Sequence, residues 1–362
     1  MKLKRSEEML LALLRAALHQ REVEIVYFQQ VTADDWVRCY RLAVRQGVSA
    51  LAWEGVERLP LEVAPPLDVK LSWALLEKKQ LATYRKHCRA VNELTQLFAQ
   101  HGIATVVLKG VGLSRLYPVP AHREGGDIDI YTYSADKTRM TDEEANRLAD
   151  ELIEKQGLYL DDSSFTKHSK FCYQGITFEN HRMFVHLAEC LTAVKVEQWL
   201  KKHRETTWME LMDGAYRIEV PSMAFNRVFV AFHAAHHYGE GLCIKHLCDW
   251  ALLVRKGDGE LPHEPDDTYF KRAVAVLTLL CNRYLGLDVP VEGDEKLADE
   301  MIREILCPPY IQKIPTDGSF KAYWLRLMNR MHIFRLKHRL LGVSFGGKLR
   351  GLVVRKIKEA VS

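Results

Sequence analysis

The segment Asp127-Ile-Asp-Ile-Tyr131 alternates strictly between polar and apolar side chains, which is the pattern of a half-buried β-strand. Side chains two positions apart on a strand point to the same face, so Asp127 and Asp129 project together while the isoleucines face the core. Two adjacent carboxylates repel each other, and they stay ionised together most easily when a divalent cation lies between them. The segment therefore predicts a strand that presents a metal site.

A second segment upstream, Ile103-Ala-Thr-Val-Val-Leu108, is short, apolar and rich in β-branched residues, which predicts a buried strand. Lys109-Gly110 ends it ahead of a predicted short helix, so backbone N–H groups at this turn can bind a phosphate. Lys109 and Arg123 add positive charge in the same neighbourhood. Because Mg²⁺ prefers one or two carboxylates together with phosphate oxygens, the two segments predict a phosphoryl-transfer site.

The remainder of the chain is mostly helical in pattern. Helical periodicity covers residues 6–59, 68–100, 141–156 and most of the chain after 222, with Thr32 as a predicted helix cap. Residues 171–179 and 183–190 predict a hairpin around Asn180-His-Arg182. The expected fold is α+β and helix-rich, with a small mixed sheet flanked by helical segments. The expected parts are an N-terminal helical segment, an α/β core and a C-terminal helical domain, at residues 1–78, 79–221 and 222–362.

Composition restricts the class of protein. Of the 362 residues, 48% are apolar and 27% are charged, as in a globular protein, and a net charge of +4 does not by itself indicate a nucleic-acid partner. The basic and then apolar N-terminus is interrupted by Glu7, Glu8 and Arg15, which favours an amphipathic helix over a signal peptide. Eight scattered cysteines without a CxxC motif indicate reduced thiols. No segment is apolar for long enough to span a membrane, and we expect a cytoplasmic protein.

Several motifs together resemble a known family. Leu108-Lys-Gly110, Leu116-Tyr-Pro118, Arg123 and Gly126-Asp-Ile-Asp-Ile130 are similar to the uncharacterised nucleotidyltransferase-like family of the polymerase-β superfamily, whose members occur in bacteria. Asp35-Trp36 and the segment from His233 to Trp250 extend the resemblance to about three quarters of the chain. It implies a sheet of the nucleotidyltransferase type and Mg²⁺- or Mn²⁺-dependent transfer of a nucleotidyl group from an NTP to an unidentified acceptor.

By this resemblance Asp127 and Asp129 are the metal ligands, Gly110 and Lys109 bind the phosphates, and Arg123 neutralises charge in the transition state. The superfamily usually adds a third carboxylate on a neighbouring strand, and in this family it lies two residues before a histidine. If His186 is that histidine, Phe184 occupies the carboxylate position and cannot bind a metal.

Two side chains are candidate replacements for the missing carboxylate. Glu179 lies across from Phe184 if His181-Arg182 is a two-residue turn. Alternatively, His186 serves as the general base or as a ligand. If neither does, the protein is a catalytically impaired relative that binds nucleotide without turning it over.

A histidine cluster supports further alternatives. His233, His236 and His237 fall on a predicted helix, with Cys243 and His246 downstream. Helix packing is the favoured interpretation, because the spacing matches neither a common zinc motif nor a His-Asp pair of a metal phosphohydrolase. A phosphohydrolase built on these three histidines remains the alternative enzyme class. The family resemblance instead suggests that His236 or His237 lines the cleft that faces Asp127.

The C-terminal stretch 319–358 contains eleven basic residues and no acidic one. Such a stretch can contact nucleic acid or an anionic membrane. We favour a core-packed helix with a solvated basic face, because glycines at 342, 346 and 347 interrupt the pattern.

Overall fold

The structure is a computed structural model that describes residues 3–161, 168–187, 190–307 and 319–344. The chain forms two compact units. The sheet unit comprises residues 3–184 and 203–226, and the helical unit comprises residues 185–202 and the described residues from 227 onward. This division differs from the three parts expected from sequence, since the expected boundary after residue 78 falls inside the continuous helix Leu67–Ala99.

The sheet unit begins with four α-helices: α1 (Arg5–His19), α2 (Ala33–Arg45), α3 (Ser49–Glu57) and α4 (Leu67–Ala99). The predicted cap of α2 is confirmed, because the Thr32 hydroxyl accepts a hydrogen bond from the backbone N–H of Asp35. Helices α1 and α3 approach closely at Gly55, where a Cβ atom would lie 2.6 Å from the carbonyl oxygen of Leu13. A larger residue at this position would push the two helices apart.

The strands of this unit form one mixed seven-stranded sheet: β1 (Ile103–Val107), β2 (Ile128–Ser134), β3 (Leu160–Asp161), β4 (His168–Tyr173), β5 (Ile176–His181), β6 (Thr206–Leu211) and β7 (Tyr216–Pro221). Their order across the sheet is β3-β4-β5-β2-β1-β7-β6. Strand β2 is antiparallel to β1 and parallel to β5, and β1 is parallel to β7. The α+β class and the mixed sheet expected from sequence are thereby confirmed.

The core of the sheet unit lies between one face of the sheet and two helices, α4 and α5 (Asp142–Lys155). Ile128 and Ile130 are fully buried in this core with Leu94 and Phe98 of α4. Because side chains alternate along a strand, Asp129 points to the opposite face. Burial of Ile128 and Ile130 in the core therefore directs the side chain of Asp129 to the other face of the sheet.

The hairpin between β4 and β5 differs from the predicted one. Its turn is formed by Gln174 and Gly175, whose φ angles are +52° and +69°, between the paired residues Tyr173 and Ile176. Two positive φ angles in a two-residue loop are typical of the type I′ turn, whose twist suits a hairpin. The predicted turn at residues 180–182 is therefore wrong. Asn180 and His181 belong to β5, and residues 183–187 form no strand.

The helical unit contains most of the remaining helices: α6 (Leu191–Lys202), α7 (Met223–His236, of which the part from residue 227 belongs here), α8 (Ile244–Lys256), α9 (Thr268–Leu285), α10 (Glu295–Leu306) and α11 (Phe320–Leu341). Part of the basic C-terminal stretch forms α11, and residues 345–362 lie outside the described residues. Lys337 of α11 is fully buried, and its ammonium donates to Glu240 at 2.6 Å. Within the described residues, no helix is both long and apolar enough to cross a membrane.

Candidate functional site

Asp129 and Glu179 are paired in register on the adjacent parallel strands β2 and β5. Residues directly opposite each other on neighbouring strands point to the same face, so the two carboxylates lie side by side. Both are buried, with 2% and 7% of their surface exposed. Asp127 lies just before the start of β2 and is exposed. These three residues, Asp127, Asp129 and Glu179, form what we call the carboxylate cluster.

The carboxylate of Asp129 has two polar partners that hold it ionised. The ammonium of Lys109 and Nε2 of His181 each lie 2.9 Å from its Oδ1 atom. Burial alone would raise the pKa of Asp129, but the charge of Lys109 and the hydrogen bond from His181 outweigh it and hold the pKa well below its usual range. Asp129 is therefore an anion at neutral pH before any ligand binds.

Glu179 has its own set of basic neighbours on β4 and β5. Lys170 donates to its Oε1 atom at 2.5 Å, and its Oε2 atom lies 3.4 Å from Nδ1 of His168 and 3.8 Å from Nε2 of His181. The hydrogen bond to Glu179 raises the pKa of Lys170 against the effect of burial, and the charges of Asp127 and Asp129 raise it further. Lys170 therefore lies within electrostatic reach of the whole carboxylate cluster.

A glycine turn closes the site on the side of β1. The backbone N–H of Leu108 donates to the carbonyl of Asp129 at 2.9 Å, which continues the β1–β2 pairing as far as the turn. Gly110 follows with φ +59°, a conformation that glycine adopts at little cost. A Cβ atom on Gly110 or on Gly125 would lie 3.9 Å from Nη1 of Arg123. The missing side chains thus leave a space beside a buried guanidinium, a position suited to a phosphate group.

The loop that contains Arg123 is tied to helices α3 and α4. His122 is buried between Glu54 of α3 and Glu77 of α4, with nitrogen–oxygen distances of 2.9 and 3.2 Å. Burial lowers the pKa of His122, but the hydrogen bonds and charges of the two glutamates outweigh it and raise the pKa. Glu124 accepts from the backbone N–H of Ala50 at 2.9 Å, at the start of α3. These contacts fix the backbone on both sides of Arg123.

The expected pairing of Glu179 with Phe184 is not found, because the hairpin turn lies at Gln174-Gly175. The family pattern of a carboxylate two residues before a histidine is met by Glu179 and His181, and the strand register sets Glu179 beside Asp129. Phe184 is a buried packing residue whose ring centroid lies 4.6 Å from that of Tyr131 and 4.9 Å from that of Phe225. Phe184 therefore has a packing role, and its place as the position of a lost metal ligand stays a prediction.

Three other predicted residues belong to the helical unit. His186 is exposed, and His236 and His237 lie at the end of α7. The side chains that the structure groups together there are His233, His237 and His246, so His236 is not a member of the group.

Sequence reasoning missed His168, Lys170 and the role of His181 at this site. The spacing of these residues in the sequence indicates the site, because residues two apart on a strand share a face. His168 and Lys170 occupy one face of β4, and Glu179 and His181 occupy one face of β5. Reading Gln174-Gly175 as a turn would have brought the two faces together.

The donor atoms at this site suit a divalent cation and a phosphate group. The three carboxylates provide the oxygen ligands that Mg²⁺ and Mn²⁺ prefer, and Asp127 offers its carboxylate at the exposed edge. His168, Glu179 and His181 also have donor atoms within 4.8 Å of one another. The basic side chains Lys109 and Lys170 neutralise the two buried carboxylates, which keeps the face preformed.

Comparison with known proteins places this geometry in a family. Residues 32–289 match the model of the family described as uncharacterised nucleotidyltransferase, and this segment includes the whole carboxylate cluster. A solved structure of an antigenic nucleotidyltransferase-like protein from Paracoccidioides brasiliensis is 13% identical, and the alignment covers 55% of this chain and 91% of that chain at a TM-score of 0.35. No curated protein matches the chain.

Proposed function

Because the chain belongs to the uncharacterised nucleotidyltransferase family, we propose that it transfers a nucleotidyl group from an NTP to an acceptor at the carboxylate cluster, with Mg²⁺ or Mn²⁺ as cofactor. The observation that supports this most directly is the register of Asp129 with Glu179 on adjacent parallel strands. Asp127 lies at the exposed end of the same face. The three carboxylates are therefore close to one another, as a metal-dependent phosphoryl transfer requires.

Asp127 and Asp129 are the proposed metal ligands. Bound between them and the NTP, the cation would neutralise the phosphates and stabilise the leaving pyrophosphate. Lys109 and His181 keep Asp129 ionised and oriented, since both contact its Oδ1 atom. Gly110 leaves space for the phosphates, and Arg123 beside it neutralises charge that develops on them in the transition state.

Glu179 is the proposed general base. An acceptor hydroxyl attacks the α-phosphorus, its proton passes to the Glu179 carboxylate, and the bond from the α-phosphorus to pyrophosphate breaks. Lys170 and His181 lie close enough to Glu179 to hold its carboxylate in place.

Calorimetric titration of the four NTPs, with Mg²⁺ and then with Mn²⁺, tests this proposal. We expect metal-dependent binding by the wild type and its loss in Asp127→Asn, which removes one charge from an exposed side chain. Asp213→Asn is the matched control, because Asp213 is exposed in the β6–β7 turn at φ +54°, which asparagine tolerates. Equal binding by wild type and Asp127→Asn, or no nucleotide binding by the wild type, would overturn the proposal.

A nucleotide-binding role without turnover is the second candidate. It is favoured by the pairing of Asp129 and Glu179 with the chain's own lysines, which balances their charge with no cation bound. Transfer of label from α-³²P-NTPs to fractions of a cell extract separates the two functions. An enzyme labels an acceptor, and Glu179→Gln binds nucleotide normally but loses the labelling, whereas a binding protein shows binding alone.

A further inference from the structure

Three histidines of the helical unit lie together. His233 and His237 are four residues apart, and the backbone N–H of His237 donates to the carbonyl of His233 at 3.1 Å, so the helical turn continues through both. Residues four apart on a helix project from the same side. His246 lies in the first turn of α8. One nitrogen from each of the three rings lies within 4.8 Å of the other two.

We propose that His233, His237 and His246 form a binding site for a divalent transition-metal ion of the Zn²⁺ class. Imidazole ligands suit Zn²⁺, Co²⁺, Ni²⁺ and Cu²⁺, whereas Mg²⁺ and Ca²⁺ require oxygen ligands. The ligand set therefore selects a different metal from the one proposed for the carboxylate cluster. Nothing in the proposed nucleotidyl transfer requires this second site.

The spacing of the three rings suits such an ion. Their centroids lie 4.4 Å apart for His233 and His237, 5.7 Å for His233 and His246, and 5.3 Å for His237 and His246. Zn²⁺ holds nitrogen ligands at about 2.0–2.1 Å, which places the nitrogens of a tetrahedral site roughly 3.4 Å apart. The present limit of 4.8 Å is wider than that spacing, so the three nitrogens must move closer together to hold the ion.

The residues next to the three histidines are buried in the helical unit. Ala234 and Tyr238, which follow His233 and His237 in sequence, and Leu247 and Cys248, which follow His246, are buried. The rings themselves are half-buried, so an ion can reach them from solvent. Ligands on packed helices are held more closely to a binding geometry than ligands on loops.

Cys243 orients the third ring. Nδ1 of His246 lies 3.2 Å from its Sγ atom and 3.1 Å from its backbone nitrogen. The backbone N–H of Cys243 donates to Nδ1 of His246, so metal binding through Nε2 requires this hydrogen bond to be exchanged for one in which Nδ1 has the proton and donates it to the sulfur.

Three protein ligands leave one coordination position open. Catalytic zinc sites have this composition, while structural sites use four protein ligands. The open position would accept water or an anionic or nitrogen-containing small molecule.

Titration of the full-length, chelator-treated protein with Co²⁺, followed by displacement with Zn²⁺, tests the site. Tetrahedral Co²⁺ absorbs visible light strongly, which reports its coordination as well as its binding. We expect one Co²⁺ per chain, displaced by Zn²⁺ but not by millimolar Mg²⁺. His237→Gln and His246→Gln should each weaken binding by at least about 100-fold, since changes to groups that only hydrogen-bond to a metal ligand already cost about 10–100-fold.

The matched control is His236→Gln, because His236 is the adjacent histidine on the same helix and is equally half-buried. It should retain wild-type affinity, and so should Asp127→Asn of the carboxylate cluster. Absence of stoichiometric Co²⁺ and Zn²⁺ binding by the wild type would overturn the proposal even if a variant failed to fold. Unchanged affinity in folded His237→Gln and His246→Gln would do the same. Loss of nucleotide binding with intact Co²⁺ binding would count against the nucleotidyl-transfer proposal alone.

Discussion

The ammonium of Lys109 and the imidazole of His181 converge on one oxygen atom of Asp129, each at 2.9 Å. Lys109 comes from the end of β1 and His181 from the end of β5, so the strands on both sides of β2 contribute one group each. The buried carboxylate is therefore compensated from both directions, and its orientation depends on the order of strands in the sheet.

Replacing Lys109 by methionine would leave Asp129 with one of its two partners. We expect Lys109→Met to lower the free energy of unfolding by about 2 kcal/mol, because a buried carboxylate would lose a charged hydrogen bond. Urea denaturation measures this. Lys137→Met is the control, since Lys137 is exposed and 3.8 Å from Asp142, and it should change stability by less than about 0.5 kcal/mol. The double variant Lys109→Met/Asp129→Asn should be less destabilised than the sum of the single variants, and strict additivity would contradict the pairing.

The His122 contacts predict a pH dependence of stability. Since the pKa of His122 is raised in the folded protein, the imidazole binds its proton more tightly there than in the unfolded chain. This stabilisation is fully present below the unfolded pKa of about 6.5, and it is lost as the pH rises through the folded pKa. We expect the stability difference between wild type and His122→Gln to be largest near pH 5.5 and to shrink by pH 8.5 in urea denaturation. A difference that grew with pH would show that the glutamates do not hold the proton.

Two glycines near the end of β1 should differ in their response to alanine. A Cβ on Gly112 would lie 2.5 Å from the carbonyl oxygen of Val107, so Gly112→Ala should destabilise the protein by about 3 kcal/mol. At Gly110 the nearest atom is the carbonyl oxygen of Asp127 at 3.5 Å, and the cost is the backbone strain at φ +59°, about 1 kcal/mol. Gly110→Ala should nevertheless weaken NTP binding. Thermal melts and calorimetry on the two variants separate the effects, and normal nucleotide affinity in Gly110→Ala would remove this turn from the phosphate site.

Phe184→Asp tests whether this position ever served as a ligand. We expect the variant to be destabilised by about 4 kcal/mol, because a carboxylate would replace a ring packed between Tyr131 and Phe225, and to gain no metal affinity. Phe184→Leu is the apolar control and should cost much less. Tighter Mg²⁺-dependent binding of nucleotide by Phe184→Asp would contradict the packing role.

The elements that sequence predicted well are those with strong local patterns. The strict alternation of residues 127–131 and the apolar run of 103–108 gave both central strands, and the Thr32 cap and the start of α4 also lie close to where they were predicted. Each of these patterns belongs to a single helix or strand, so residues close together in the sequence are enough to specify it.

The errors arose at a turn with an unusual residue, at exposed apolar residues of a helix and at contacts between residues distant in sequence. The turn at Gln174-Gly175 has a weak local signal because glutamine seldom adopts positive φ, and Glu179 was expected only as a replacement for a carboxylate at Phe184. Leu71 and Leu75 fit the helical period of α4 and yet are more than half exposed. The contact of Lys109 with Asp129 depends on the pairing of strands, which no local pattern encodes.

The order in which the strands occur along the chain has a consequence for synthesis. Strand β7 pairs with β1, but residues 216–221 follow more than 100 positions after β1, beyond helix α6 of the other unit. On the ribosome, β1 and the glycine turn after it emerge long before β7, the strand that pairs with the second edge of β1. An exposed apolar strand edge is prone to aggregation, so a nascent chain halted before residue 216 is a natural client for chaperones.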